Sequence, residues 1–286
     1  MRISSNLSIK PYFVSFGGCS KVSSHGFHTD TFEKQKSAKV HSRVPFDTDF
    51  DKKLYKMTPK VLREYRYNKI SDKCKQAAFD SVIMGNIIRK EYDNKYGKDG
   101  YVFVSIGTSP AGVARTLELM GKEVKYVPIS GVREIGFPID ELTEYQDYNK
   151  YSNFLDSIGL DRKSVIKNPK KHIFCDFTSP QASTLGAVRY FATERRGLPL
   201  NKVDFRSLNL DLFRYAVRHP KVRDKVIKYT DDLCNSRLSK YSGIPHLNCM
   251  TVNNIEEALK AKPSKLASDF NFAMAYILDE KGLLSE

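Results

Sequence analysis

Between residues 101 and 208 the chain alternates short apolar runs with amphipathic ones, and this alternation restricts the fold more than any other feature of it. "FVSIGTSPAGVARTLELMGKEVKYVPIS", residues 103 to 130, passes from an apolar run through a turn of small polar residues into a helical pattern and a second apolar run. "HIFCDFTSPQASTLGAVRYF", residues 172 to 191, repeats the device. The periodicity predicts strands at 101–106, 123–129, 171–177 and 202–208, with helices at 110–120, 139–157 and 183–195. Strands alternating with helices require βαβ crossovers, so the chain reads as α/β, a mainly parallel sheet flanked by helices.

Further helices flank this core. Thr58 is a capping type, Pro59 suits a first turn, and Val61, Leu62 and Tyr65 share one helical face. A longer helix is expected from Ser71 to about Tyr96, with Ala78, Val82, Ile83, Ile87 and Tyr92 at helical spacing and the Gly97 to Gly100 stretch as its stop. From Leu210 onward the pattern is mostly helical and ends in a helix from about Ser264 to Glu280. Residues 1–45 lack periodicity and read as a mobile leader dispensable for folding, which leaves 46–286 as a single α/β domain with its core at 100–210.

The two turns carry the candidate chemistry. In open α/β sheets, ligands collect beyond the carboxyl ends of the strands, where turns feed helix N-termini. With Ser109 as cap and Pro110 as first helical residue, the amides of Ala111 and Gly112 are predicted to point toward the turn, a geometry suited to an anion. In the second turn Asp176 ends the strand, followed by the hydroxyls of Ser179, Ser183 and Thr184. A carboxylate there suits ribose hydroxyls or a metal ion better than a phosphate.

Together "IGTSPAGVARTLELMG" and "IFCDFTSPQASTL" resemble the pyrophosphate and phosphoribosyl loops of type I phosphoribosyltransferases, at the separation that family's pattern puts between them. The resemblance covers residues 100 to about 210. It implies phosphate contacts at Gly107, Thr108, Ser109, Ala111, Ser179, Gln181, Ser183 and Thr184, with Asp176 as the catalytic carboxylate holding ribose and Mg²⁺. It further implies pentosyl transfer from phosphoribosyl pyrophosphate, or nucleotide binding without transfer. Arg133 falls where the family has a mobile hood and could meet pyrophosphate; His246 could face a base. The chain departs from the pattern in carrying a single acidic residue at the strand end and Pro180-Gln181-Ala182 where a glycine is usual.

Charge points the same way without choosing a ligand. Against 33 acidic residues stand 47 basic ones, and residues 161–240 hold 18 basic against 8 acidic. Such a field favours anionic partners, which keeps open a non-catalytic basic module for nucleic acid or an acidic host protein. "IGTSPAG" also leaves room for a sugar-phosphate isomerase-like domain. Arg195 and Arg196 read as charges compensating a helix dipole. Five scattered cysteines without a Cys-x-x-Cys pair indicate a reducing compartment. No apolar run reaches the ~20 residues of a membrane span, and no Sec signal is evident. "MRISSNLSI" resembles the leader of a bacterial type III secreted effector, so the expected location is the cytoplasm, or a host cell reached without a Sec signal.

Overall fold

A computed structural model describes residues 48–128, 146–178, 183–234, 238–241 and 264–285. The fold is α/β, built on a four-stranded, all-parallel sheet flanked by helices. The leader, Arg133, Ser179, Gln181 and His246 lie outside the described residues, as do the side chain of Ser183 and the first part of the helix expected at 139–157.

The strands are β1 (Tyr101–Ile106), β2 (Val124–Val127), β3 (Lys171–Asp176) and β4 (Val203–Ser207), in spatial order β2-β1-β3-β4. Phe103 pairs with Val124 on one side and Ile173 on the other, while Cys175 pairs with Arg206. Every residue of β1 is buried, which is why its sequence is a continuous apolar run rather than an alternation.

Alternate side chains sort onto two faces. Phe103, Ile173 and Cys175 pack with α4 (Ala111–Leu119), whereas Val102, Val104 and Phe174 pack with α5 (Gln146–Ser157), α6 (Arg162–Lys167) and α7 (Ser183–Tyr190). This division follows from the strand order. Moving from β1 to β2 and from β2 back to β3 are steps in opposite directions, and right-handed crossovers then place their helices on opposite faces. The short α6 was not foreseen in the sequence.

The longest helix, α3 (Asp72–Tyr96), starts where the Ser71 hydroxyl accepts the Cys74 amide and ends at Gly97, whose φ of 88° demands a residue without a Cβ. Gly85 serves a different purpose: a Cβ there would lie 2.5 Å from Thr116 Cβ, so glycine permits α3 and α4 to cross closely. On its sheet side α3 meets α8 (Leu208–Arg218) and α9 (Arg223–Cys234). Another side of α3 is covered by α10 (Lys265–Glu280), capped by Ser264, and a third apolar cluster forms there around Ala78, Val82, Met274 and Leu278.

Among the described residues two helices precede α3, and here the sequence reading needs correction. Thr58 does not cap the second of them: its hydroxyl donates back to the Leu54 carbonyl at 2.8 Å and closes α1 (Thr48–Met57). Pro59 occupies the cap position of α2 (Lys60–Lys69). The shared face of Val61, Leu62 and Tyr65 is turned to solvent, and no residue of α2 is buried. Periodicity shows that residues share a face; it does not show what covers it.

The helix expected at 183–195 is α only to Tyr190 and widens to a π turn at Phe191–Arg195. Arg196 just beyond is not a surface dipole charge. Its guanidinium donates to the Leu160 carbonyl at 3.2 Å and pairs with Ser152 and Asp156, tying α5 to the end of α7. No helix among the described residues is long and apolar enough to cross a membrane.

Candidate functional site

Since β1 and β3 are parallel neighbours, the turns that leave them emerge side by side at one edge of the sheet. The chain departs in opposite lateral directions from these two strands, so the edge is a topological switch point, where α/β sheets open a crevice.

In the first turn Gly107 has a φ of 68° and donates its amide to the Val127 carbonyl at 2.8 Å, which fixes the exit of β1 against β2. The helix begins one residue later than the sequence suggested. Pro110 sits at the cap, and the Ala111 amide is spent on the Thr108 carbonyl at 3.3 Å. The first-turn amides left without an intrahelical acceptor by their position are therefore those of Gly112 and Val113.

Thr108, Ser109 and Gly112 line a narrow cleft with Ser81 of α3 and Tyr229 of α9. Ser81 Oγ and Tyr229 Oη lie 3.2 Å apart, buried, and burial pushes the Tyr229 phenol well above its ordinary pKa, so it remains a neutral hydroxyl. A Cβ at Gly112 would sit 2.6 Å from Ser81 Oγ, so α4 can approach α3 this closely only with glycine there.

The second turn is anchored from β4. Thr178 donates its amide to Asn209 Oδ1 at 3.0 Å and accepts from Asn209 Nδ2 at 2.6 Å, while its hydroxyl meets that of Ser207 at 2.8 Å. Asp176 is buried and sits beside Ser207 in register. By strand alternation it shares the face of Phe174, whereas the hydroxyl cleft opens on the face of α4 and α9. Phe177, the next residue, points to that face and packs on Tyr229 of the cleft at a centroid distance of 6.0 Å. Thr184 is half-buried in the first turn of α7.

Beneath this edge lies a buried polar network. Asp211 accepts from Tyr92 Oη at 2.9 Å and from Arg206 Nε at 3.1 Å, and Tyr92 Oη is 3.6 Å from Cys175 Sγ. Burial holds the Cys175 thiol protonated, which removes it as a nucleophile. The network joins α3, β3, β4 and α8, and so fixes the strand ends from which the second turn starts.

Ser81, Tyr229, Ser207 and Asn209 escaped the sequence reading. The first two lie in helical segments far from the turns in sequence, and only the α3–α4–α9 packing brings them there. Asn209 follows Ser207 in a strand-to-helix junction, a capping signal that could have marked it. Set against protein-family models, curated proteins and solved structures, the chain matches none.

Proposed function

We propose that the protein binds a phosphorylated ribose, as phosphoribosyl pyrophosphate or a nucleotide, across the β1–β3 edge. The observation that carries this reading is the adjacency of β1 and β3, each followed in sequence by a small-residue turn, at the switch point of a parallel sheet. A phosphate would lie against the Gly112 and Val113 amides and the Thr108 and Ser109 hydroxyls, where the dipole of α4 favours negative charge. Ribose would extend over the strand ends toward Asp176 and Thr184. A single carboxylate fits Mg²⁺ when substrate oxygens complete its shell, so Asp176, at the end of β3, would hold that ion against the ribose hydroxyls. Bound Mg²⁺ would neutralise phosphate charge. The protein's own contribution is to orient the ribose through Asp176 and hold the phosphate on backbone amides. Turnover, if it follows, would be pentosyl transfer.

Calorimetric titration of phosphoribosyl pyrophosphate with Mg²⁺ tests this. Asp176→Asn should keep the fold and weaken binding roughly ten- to hundredfold, the loss of a charge-assisted hydrogen bond of about 1.5–3 kcal/mol. Absence of heat with the parent chain overturns the proposal. The second reading, a basic binding module, draws on the 18 basic residues in 161–240. It is favoured if RNA binds with a steep salt dependence that sugar phosphates do not compete away.

A further inference from the structure

Helix α2 lies on the molecule through its polar and aromatic side. Arg63 pairs with Asp279 at 2.7 Å, the Arg66 guanidinium stands 4.1 Å over the Phe272 ring, and Tyr67 stacks on Tyr276 at 4.2 Å. These three partners all belong to α10. The opposite side carries the aliphatic residues: Val61 is 75% exposed, Leu62 55% and Tyr65 62%. Around the Thr58-Pro59 corner the end of α1 adds Leu54 at 49% and Met57 at 72%. A surface helix normally buries its apolar stripe. Here five large apolar side chains of these two successive helices are left exposed, and exposed apolar groups of this kind mark interaction sites.

Charge decides the occupant. Lys53, Lys56, Lys60 and Lys69 are exposed along these two helices, with Lys69 5.4 Å over the Tyr65 ring. A second copy docking through the same face would set lysines against lysines. An anionic bilayer would press on the whole surface, including Glu64 and the half-exposed Asp279 carboxylate paired with Arg63. A helix lying along the stripe can bypass both carboxylates and still meet the lysines.

We infer that the outward face of α1 and α2 docks an acidic amphipathic helix of another protein. The partner sets apolar residues at helical spacing onto Met57, Val61 and Tyr65 and carboxylates onto the flanking lysines. This surface involves neither turn of the ribose-phosphate reading and stands or falls independently of it.

The test is a displayed library of helices about 18 residues long, five turns, with one apolar face and a polar face randomised between acidic and basic residues. It is panned against the full chain and against the Met57→Asp/Val61→Asp chain. Since both sites are exposed, the variant should keep the parent's melting midpoint; Tyr65→Glu alone is a second, milder variant. The expected result is enrichment of acidic helices that bind the parent and lose at least about tenfold in affinity for either variant. No enrichment, enrichment of basic helices, or equal binding to parent and variants overturns the inference. It is equally overturned if the parent self-associates in sedimentation while the variants stay monomeric. Flotation of the parent alone with phosphatidylcholine–phosphatidylserine vesicles, without binding of an acidic helix, overturns it as well.

Discussion

His172, near the start of β3, has its side chain entirely out of water and neither ring nitrogen hydrogen-bonded. Burial, with Lys125 and Lys202 nearby and Glu123 opposing them, lowers its pKa from 6.5 to about 4. The unfolded chain therefore takes up a proton below about pH 6.5 that the folded chain refuses until about pH 4. Stability contributed by neutral His172 is complete above the unfolded value and declines as pH falls through that window, by roughly 3 kcal/mol in all. Urea unfolding at about pH 7, 5.5 and 4.5 should show this decline, and His172→Leu should flatten it. A slope unchanged by the substitution would place the titration elsewhere. Nothing in the sequence marked this histidine: a polar residue near the start of a strand reads as a solvent-facing end, and only the cover of α5 and α6 makes it an interior one.

Among elements, the strands were the most legible. β1 is apolar but for Ser105, β3 carries the apolar run Ile173-Phe174-Cys175, and turn residues bound both, so their ends differ from the sequence reading by a residue at most. Helix ends were legible where a side chain caps them, as at Ser71 and Ser264, and less so where the backbone itself decides. At Ser109-Pro110 the capping pattern favours Ser109, yet the Ala111 to Thr108 hydrogen bond shifts the start by one, to Ala111. The π turn at Phe191–Arg195 left no sequence signal, because its extra residue is accommodated by tertiary packing. The Thr178 amide and carbonyl are both held by the Asn209 side chain, which makes an element-level expectation. Asn209→Ala should release the Thr178 backbone and cost on the order of 2 kcal/mol. Asn209→Asp, which keeps an acceptor for the Thr178 amide but loses the donor to its carbonyl, should cost less. Hydrogen exchange at Thr178 should accelerate in the same order, and no acceleration in Asn209→Ala would count against the anchor.

At the scale of the molecule, alternating patterns sufficed for a parallel sheet and helices on both faces, but not for the order β2-β1-β3-β4, which depends on which way each crossover turns. The candidate site was legible as two turns, because small polar residues after apolar strands are local signals. The contact of Phe177 with Tyr229 was not, since it needs α9 folded against α4. The third apolar cluster lies between α3 and α10, distant in sequence and close in space. Removing α10 uncovers Ala78, Val82 and Leu119 together. A chain ending before Ser264 is expected to lose its cooperative melting transition and bind a hydrophobic dye; a sharp transition at the parent's midpoint would show that the sheet and α3 fold without this cover.

The α3–α10 pairing also sets a schedule. A ribosome releases α3 early and α10 only after the whole sheet has emerged, so for most of synthesis the nascent chain carries α3 with one flank bare. Sheet and α4 can assemble on the other flank meanwhile, but the exposed Ala78–Val82 side must wait, as long-range contacts form last and slowly. That interval is the period in which a holdase chaperone would find this chain, and the α3 flank is the surface it would hold.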